Sequence, residues 1–299
     1  MIQRDASQAP DPGGTGPQVL AGLLGRGIQE SRTPWMQEQE GVAQGLRFTY
    51  ALFDFTERGW TDAELPQALD AVQRLGFSGV NVTLPFKQAV IPLLDELSTG
   101  ARAIGAVNTI AFAHGRRIGH NTDVTGFAAS FEQGLSGAAR RLVLQLGCGG
   151  AGAATAHALL GSLGAERLIL CDPDPERATA LAGQLAVQFG SGCVDISSDP
   201  AAAALAADGI VNASPVGMAK FPGLPLPADA ILPRHWVADI VYFPLETAFL
   251  ALARARGCRV LDGSGMAVRQ ATESFRIFTG LEADVDRVMA SFTAFRARI

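Results

Sequence analysis

From Gln18 onward the chain alternates short apolar runs with stretches of helical period, the pattern of parallel strands covered by helices. The class it predicts is α/β. In the first half, strands are expected near Val19–Leu24, Phe48–Phe53 and Gly79–Thr83, with helices starting near Pro34 and over Thr61–Leu75 to complete a βαβαβ unit. Thr61 with Glu64 fits a capping box, and Leu65, Leu69, Val72 and Leu75 give that second helix an apolar face. A second βαβ series starts at Leu142–Leu146, passes through a helix of small residues and resumes at Arg167–Cys171. Later strands are expected at Gly209–Asn212, Val237–Val241 and Arg259–Leu261, and two helical patterns, Met266–Thr279 and Asp284–Arg296, close the chain. The stretch Phe221–Pro233, with prolines at 222, 225, 227 and 233, reads as a long loop over the second unit.

Length turns these two series into two domains, because 299 residues can bury two cores of roughly 100–150 residues each. The expected division is a substrate-binding α/β domain over 18–122 and 263–299, and a Rossmann-type dinucleotide-binding domain over 123–262, with a cleft between them. Residues 1–17 carry almost nothing to bury and read as a flexible tail. A net charge of -5 without a basic stripe argues against a nucleic-acid partner. The four cysteines, at 148, 171, 193 and 258, form neither a disulfide framework nor a zinc-ligand pattern, so no metal is expected and a reducing cytoplasm fits. No secretory leader and no apolar run of about 18 residues is seen, so no membrane partner is expected either.

Chemistry enters with Gly147-Cys148-Gly149-Gly150-Ala151-Gly152, directly after an apolar strand and ahead of a helix. In that context the first glycine permits a tight turn, the second lets backbone approach a pyrophosphate, and the third allows close helix–strand packing. The next strand ends at Asp172, 25 residues after the first glycine (172 − 147), where a carboxylate would hold the adenosine ribose hydroxyls and repel a 2′-phosphate. That favours NAD over NADP. Asp174 with Pro175 fits a helix start, and Arg177 either reaches a 2′-phosphate or pairs with a nearby carboxylate.

Ahead of the nucleotide unit stand Ser31-Arg32-Thr33-Pro34, Asn81-Val82-Thr83-Leu84-Pro85-Phe86-Lys87, Gly105-Ala106-Val107-Asn108-Thr109 and Gly119-His120-Asn121-Thr122-Asp123. Polar groups at strand ends and turns converge on the carboxyl edge of a parallel sheet. In this order, and followed by the glycine-rich loop, the segments strongly resemble the shikimate dehydrogenase family, from about residue 19 to the C-terminus. The resemblance implies hydride transfer between a ring carbinol carbon and nicotinamide in the interdomain cleft, with the last helices returning to the substrate domain. It assigns catalysis to Lys87 and Asp123, and substrate binding to Ser31, Thr33, Thr83, Asn108, Tyr242 and Gln270. Cofactor contacts are implied at Gly147, Gly149, Gly150, Ala151, Gly152, Asp172, Arg177, Asn212, Val216, Gly263 and Met266. Chemistry supports the catalytic pair: an alcohol giving up hydride must lose a proton, and a lysine beside a carboxylate can manage it if desolvation lowers its pKa. Taken singly, Lys87 would read as an exposed residue after a turn and Asp123 as a helix cap.

Three departures from the biosynthetic pattern fall together. Thr33 stands where that pattern has serine, Val124 where it has glycine, and Asp172-Pro173-Asp174 where it has an asparagine–arginine–threonine turn. They resemble the quinate/shikimate dehydrogenase branch, which uses NAD. The expected substrates are therefore quinate and shikimate, oxidised at the C3 hydroxyl by a cytoplasmic monomer or homodimer. His120 could assist. The competing readings are an NADP-dependent biosynthetic or aminoshikimate-type dehydrogenase and a non-catalytic metabolite-binding regulator, which the same fold could host.

Overall fold

The alternation of apolar runs and helices resolves into two six-stranded sheets in the computed structural model, which describes residues 16–295. The first sheet contains β1 (Gln18–Gly25), β2 (Arg47–Asp54), β3 (Gly79–Val82), β4 (Glu96–Leu97), β5 (Thr109–Ala113) and β6 (Arg116–His120), in the order β2-β1-β3-β5-β6-β4. The second contains β7 (Leu142–Leu146), β8 (Arg167–Cys171), β9 (Val194–Ile196), β10 (Gly209–Asn212), β11 (Trp236–Asp239) and β12 (Arg259–Leu261), in the order β12-β11-β10-β7-β8-β9. All its pairings are parallel. Its order reverses between β7 and β10, and in such sheets ligands bind at the carboxyl ends beside that switch point.

Helices α1 (Thr33–Ala43), α2 (Leu65–Arg74), α3 (Phe86–Ala89), α4 (Thr99–Ile104) and α5 (Asp123–Gly134) belong to the first half of the chain. Helices α6 (Gly150–His157), α7 (Pro175–Phe189), α8 (Pro200–Ala206) and α9 (Ala248–Ala255) serve the second sheet, followed by α10 (Ser264–Thr279) and α11 (Val285–Ala294). The last two pack back on the first sheet. Phe275 stacks on Phe48 with ring centroids 5.4 Å apart, and Arg287 of α11 pairs with the buried Glu40 of α1 at 2.6 Å. Helices α5 and α10 cross closely at Gly126, where a methyl group would lie 3.1 Å from the Met266 carbonyl oxygen and 3.3 Å from the Gln270 nitrogen.

Four sequence expectations need correction. The first sheet is not wholly parallel, because β5 runs antiparallel to β3 and to β6. The β5–β6 hairpin turns on His114 and Gly115, with φ of 53° and 76°, and neither this pair nor the arginine-rich β6 carries the usual hairpin signal. Leu75, assigned to the apolar face of α2, is 67% exposed because the helix ends at Arg74. That helix also begins as a 3₁₀ turn, Asp62–Glu64, in which Glu64 accepts the Thr61 N–H at 2.7 Å. Strand β11 stops at Asp239, short of Val241, because the Asp239 carboxylate accepts the Val241 N–H at 3.0 Å and turns the chain. The Phe221–Pro233 loop buries Leu226, Ala230 and Ile231 against the second sheet's core.

Most of the expected N-terminal tail, residues 1–15, lies outside the described residues. Gly16 and Pro17 are tied to Arg47, whose Nε and N donate to their carbonyls at 3.0 Å each. Among the described residues no group of three His, Cys, Asp or Glu could hold a metal ion, and no helix is long and apolar enough to cross a membrane.

Candidate active site

Helix α3 follows β3 after a short turn and carries Lys87, while β6 runs through Asn121 and Thr122 into the first residue of α5, Asp123. The two side chains meet: Lys87 Nζ donates to Asp123 Oδ2 at 2.7 Å. Asp123 is 1% exposed and does not cap its helix, and Lys87 retains only 18% of its side-chain surface. The carboxylate is held from its other side by Asn108, whose Nδ2 donates to Asp123 Oδ1 at 2.9 Å and approaches Gln270 Oε1 at 3.4 Å. Asn108 Oδ1 in turn accepts the Thr122 N–H at 2.9 Å. A buried carboxylate is tolerated here because a cation, an amide and the first turn of a helix all favour its charge. Four of the predicted residues, Lys87, Asn108, Asp123 and Gln270, thus form one hydrogen-bonded cluster.

Ser31 and Thr33 lie at the start of α1, where Ser31 Oγ accepts the Thr33 N–H at 3.3 Å. Their loop is anchored by Asp54, the last residue of β2. Its carboxylate accepts the Gly27 and Ile28 N–H groups at 2.8 Å each, Thr56 N–H at 3.0 Å and Gln29 Nε2 at 3.2 Å. Thr83 lies beside this loop, one turn ahead of Lys87: its N–H donates to Leu24 O at 3.0 Å, and Arg26 N–H donates to Leu84 O at 3.1 Å. Tyr242 arrives from the second sheet and packs edge-on against Phe292 of α11, centroids 6.3 Å apart. Burial, reinforced by the Asp123 charge, raises its phenol pKa and keeps it a neutral donor. Arg32, between the two hydroxyl residues, lies 4.6 Å from the Phe292 ring centroid.

On the nucleotide side, Gly147 has φ +99° and its missing Cβ would lie 2.7 Å from Ser214 N. A Cβ at Gly152 would lie 2.2 Å from the Gly147 carbonyl oxygen, so helix and strand approach as the motif requires. At Gly149 nothing lies within 4 Å of the Cβ position, and the first-turn N–H groups of α6, from Gly150 and Ala151 on, have no intrahelical acceptor. This cradle fits a dinucleotide pyrophosphate. A methyl at Gly150 would stand 3.3 Å from Lys87 Cβ, which brings the start of α6 directly against that lysine. Asp172 closes the loop: Oδ2 accepts the Cys148 N–H at 2.7 Å and Oδ1 the Asp174 N–H at 2.9 Å. Each oxygen keeps acceptor capacity for a ligand hydroxyl. Asp174 caps α7 through the Glu176 N–H at 3.0 Å and pairs with Arg177 at 3.2 Å.

Two assignments change on this geometry. Asn212, expected to meet cofactor, is fully buried, and its Nδ2 is spent on Val216 O at 2.8 Å and Asp239 Oδ1 at 2.9 Å. It shapes the loop and leaves the half-buried Val216 nearer the surface. The charged groups around the His120 ring are Glu273, Arg276 and Glu96, with neither Lys87 nor Asp123 among them; burial is what chiefly lowers its pKa. Gly263 works through its backbone, since a Cβ would lie 2.6 Å from Ile240 O, and this close approach sets Met266 in the first turn of α10.

A family model for the shikimate dehydrogenase substrate binding domain matches residues 23–110, and one for the shikimate 5'-dehydrogenase C-terminal domain matches residues 263–291. A shikimate dehydrogenase (NADP(+)) of Streptomyces avermitilis is 52% identical over 91% of this chain and 94% of its own. The chain belongs to the shikimate dehydrogenase family. Another member, a quinate/shikimate dehydrogenase (NAD(+)) of Corynebacterium efficiens, is 48% identical over 92% of this chain and 97% of its own. Among solved structures, quinate dehydrogenase from Corynebacterium glutamicum in complex with NAD matches with a TM-score of 0.86 and 44% identity, covering 94% of this chain and all of that one.

Within this shikimate dehydrogenase fold, four supporting residues escaped the motif reading: Asp54, Gln145, Asp239 and Thr247. Gln145, fully buried, donates from Nε2 to Gly152 O at 2.8 Å and accepts Thr155 Oγ1 at 2.9 Å, which ties β7 to α6. The signal that could have found three of them is a lone polar residue in or ending an apolar strand, as in Tyr50-Ala51-Leu52-Phe53-Asp54, Leu142-Val143-Leu144-Gln145-Leu146 and Trp236-Val237-Ala238-Asp239.

Proposed function

We propose that this chain is an NAD-dependent quinate/shikimate dehydrogenase that reversibly oxidises the C3 hydroxyl of its acid substrate to the 3-dehydro product. The observation that carries the proposal is the buried Lys87–Asp123 pair, 2.7 Å across, lying against the start of the glycine-rich helix. A bound nicotinamide would supply the hydride acceptor for the substrate carbon. The chain's own part is binding, orientation and the proton. A ring hydroxyl placed against Lys87 Nζ and the Asp123 carboxylate has an acceptor for its proton in whichever of the two is deprotonated and a partner that orients it in the other, and Asn108 keeps the carboxylate aimed. Ser31 and Thr33 take the substrate carboxylate, Thr83 and Gln270 the remaining hydroxyls, and Tyr242 donates as a neutral phenol. The domains divide at 18–122 with 263–299 and at 123–262, the protein acts as a monomer or homodimer, and four buried thiols suit a reducing cytoplasm.

NAD is preferred because Asp172 directly follows β8, and a carboxylate there repels a 2′-phosphate while Arg177 is already paired with Asp174. The similarity to a relative named for NADP(+) makes NADP the competing cofactor. Steady-state oxidation of quinate and shikimate with each cofactor separates the readings. Turnover with NAD, at least about tenfold above NADP in kcat/KM, is expected, and Lys87→Ala lowers kcat by about a hundredfold or more while substrate still binds. Absence of nicotinamide reduction with either acid would sink the proposal.

A further inference from the structure

Beneath the rim facing the glycine-rich loop, three buried polar residues from three elements close on one another. Asn212 ends β10, Asp239 ends β11, and Thr247 caps α9 by accepting the Leu250 N–H at 3.2 Å. Their exposures are 0%, 1% and 0%. Asp239 Oδ1 accepts Asn212 Nδ2 at 2.9 Å and the Val241 N–H at 3.0 Å, and Oδ2 accepts Thr247 Oγ1 at 2.7 Å. Asn212 passes the network onward, donating to Val216 O at 2.8 Å and accepting Ser214 Oγ at 2.6 Å.

The loop so held packs directly on the triad. A methyl at Gly217, φ +106°, would lie 3.3 Å from Thr247 Cγ2 and 3.7 Å from Asp239 Oδ2. Farther along, Lys220 Nζ reaches Gly27 O across the cleft at 3.4 Å. The other segment fixed by Asp239 leads straight from Val241 to Tyr242. Asp239 has no cationic partner among the described residues, and a buried carboxylate in that position is costly. An apolar trio would fill the same space more cheaply, so the polar network is retained for the geometry it imposes.

We infer that Asn212, Asp239 and Thr247 form a positioning triad that sets the 213–218 loop and Tyr242 against the Lys87–Asp123 pair, so that nicotinamide and substrate carbon are held in reacting register. None of the three touches substrate. The inference rests on the dehydrogenase reading, and the test keeps the two separable. Thr247→Val keeps the shape and removes two hydrogen bonds, the one to Asp239 and the cap on α9, whereas Thr247→Ser restores both. For Thr247→Val, NAD affinity measured by titration calorimetry falls about fivefold or more and kcat falls about tenfold, because small displacements of reacting groups are amplified in rate. Quinate affinity of the free enzyme falls by a smaller factor than NAD affinity, since only Tyr242 among its ligands is displaced, and Thr247→Ser recovers wild-type values. Asp239→Asn, which can accept from Asn212 and donate to Thr247, retains most NAD affinity, while Asp239→Leu loses it. A Thr247→Val enzyme with wild-type NAD affinity and kcat overturns the triad. Failure of the wild type to bind NAD overturns the dehydrogenase reading instead.

Discussion

The two sides of the cleft are fixed by the same device in different surroundings. On the substrate side Asp54 ends β2 and gathers the loop leading to Ser31 and Thr33; on the nucleotide side Asp239 ends β11 and gathers the loops leading to Val216 and Tyr242. Burial pushes both carboxylates upward. At Asp54 the Gly27, Ile28 and Thr56 N–H groups and the Gln29 amide outweigh it, and its pKa is lowered. Deeper burial wins at Asp239, where Thr247, Val241 and Asn212 donate and the pKa is still pushed up to about 6. Four donors in a shallower site make Asp54 an anchor that stabilises the fold, whereas deep burial makes Asp239 one that the fold must carry.

The largest effect should come from breaking the stabilising anchor. Asp54→Ala leaves the Gly27, Ile28 and Thr56 N–H groups without their acceptor, and denaturant unfolding should show about 3 kcal/mol lost. The KM for quinate or shikimate should rise about tenfold or more, while NAD affinity is unchanged. Equal losses in acid and NAD binding would mean that Asp54 supports the whole fold rather than one side. Next comes the nucleotide side. Asp172→Asn removes the charge and keeps an acceptor oxygen for only one of the Cys148 and Asp174 N–H groups. The NAD-to-NADP ratio of kcat/KM should then fall about tenfold with the acid's KM unmoved. An unchanged ratio would locate cofactor choice elsewhere.

The contrast also explains what was legible in the sequence. Glycine positions could be placed because each answers to a backbone constraint: Gly147 to its φ, Gly152 to the carbonyl above it. Lys87 and Asp123 were singled out through the family resemblance of their motifs, since read singly they are an exposed lysine after a turn and a helix cap. Asn212 was singled out too, and the structure turns its amide to Val216 and Asp239, since a sequence gives the address of an amide and not its direction. Asp54, Asp239 and Thr247 were passed over because their role exists only after strands far apart in sequence are laid side by side. The β5–β6 hairpin was missed for a local reason: His114-Gly115 is an unusual turn pair, and Arg116-Arg117 masks the alternation of β6.

Opposite pKa directions should give opposite pH slopes of stability. Asp54, with a folded pKa below the ordinary value of about 4, contributes stability that is present above that value and is lost as pH falls through its folded pKa. Asp239 holds its proton in the fold up to about 6 while the unfolded chain releases it near 4, so its contribution falls as pH rises between these values. In urea titrations the stability gap between wild type and Asp54→Asn should therefore widen as pH rises from about 2 to about 4 and stay level above that. The wild type should lose ground to Asp239→Asn as pH rises from about 4 to about 6. Parallel curves for the two variants would show that the anchors do not differ in charge state.

The smallest effect belongs to a direct bond between the two anchored loops. Lys220 Nζ meets Gly27 O at 3.4 Å at an exposed position, which is near the limit of hydrogen-bond geometry. If each side is fixed by its own carboxylate, this bond reports closure without causing it. Lys220→Ala should then shift stability by less than about 0.5 kcal/mol and each KM by less than about threefold. A tenfold change in both KM values would mean that the loops hold each other, and that Asp54 and Asp239 act as one mechanical unit across the cleft rather than as two independent anchors.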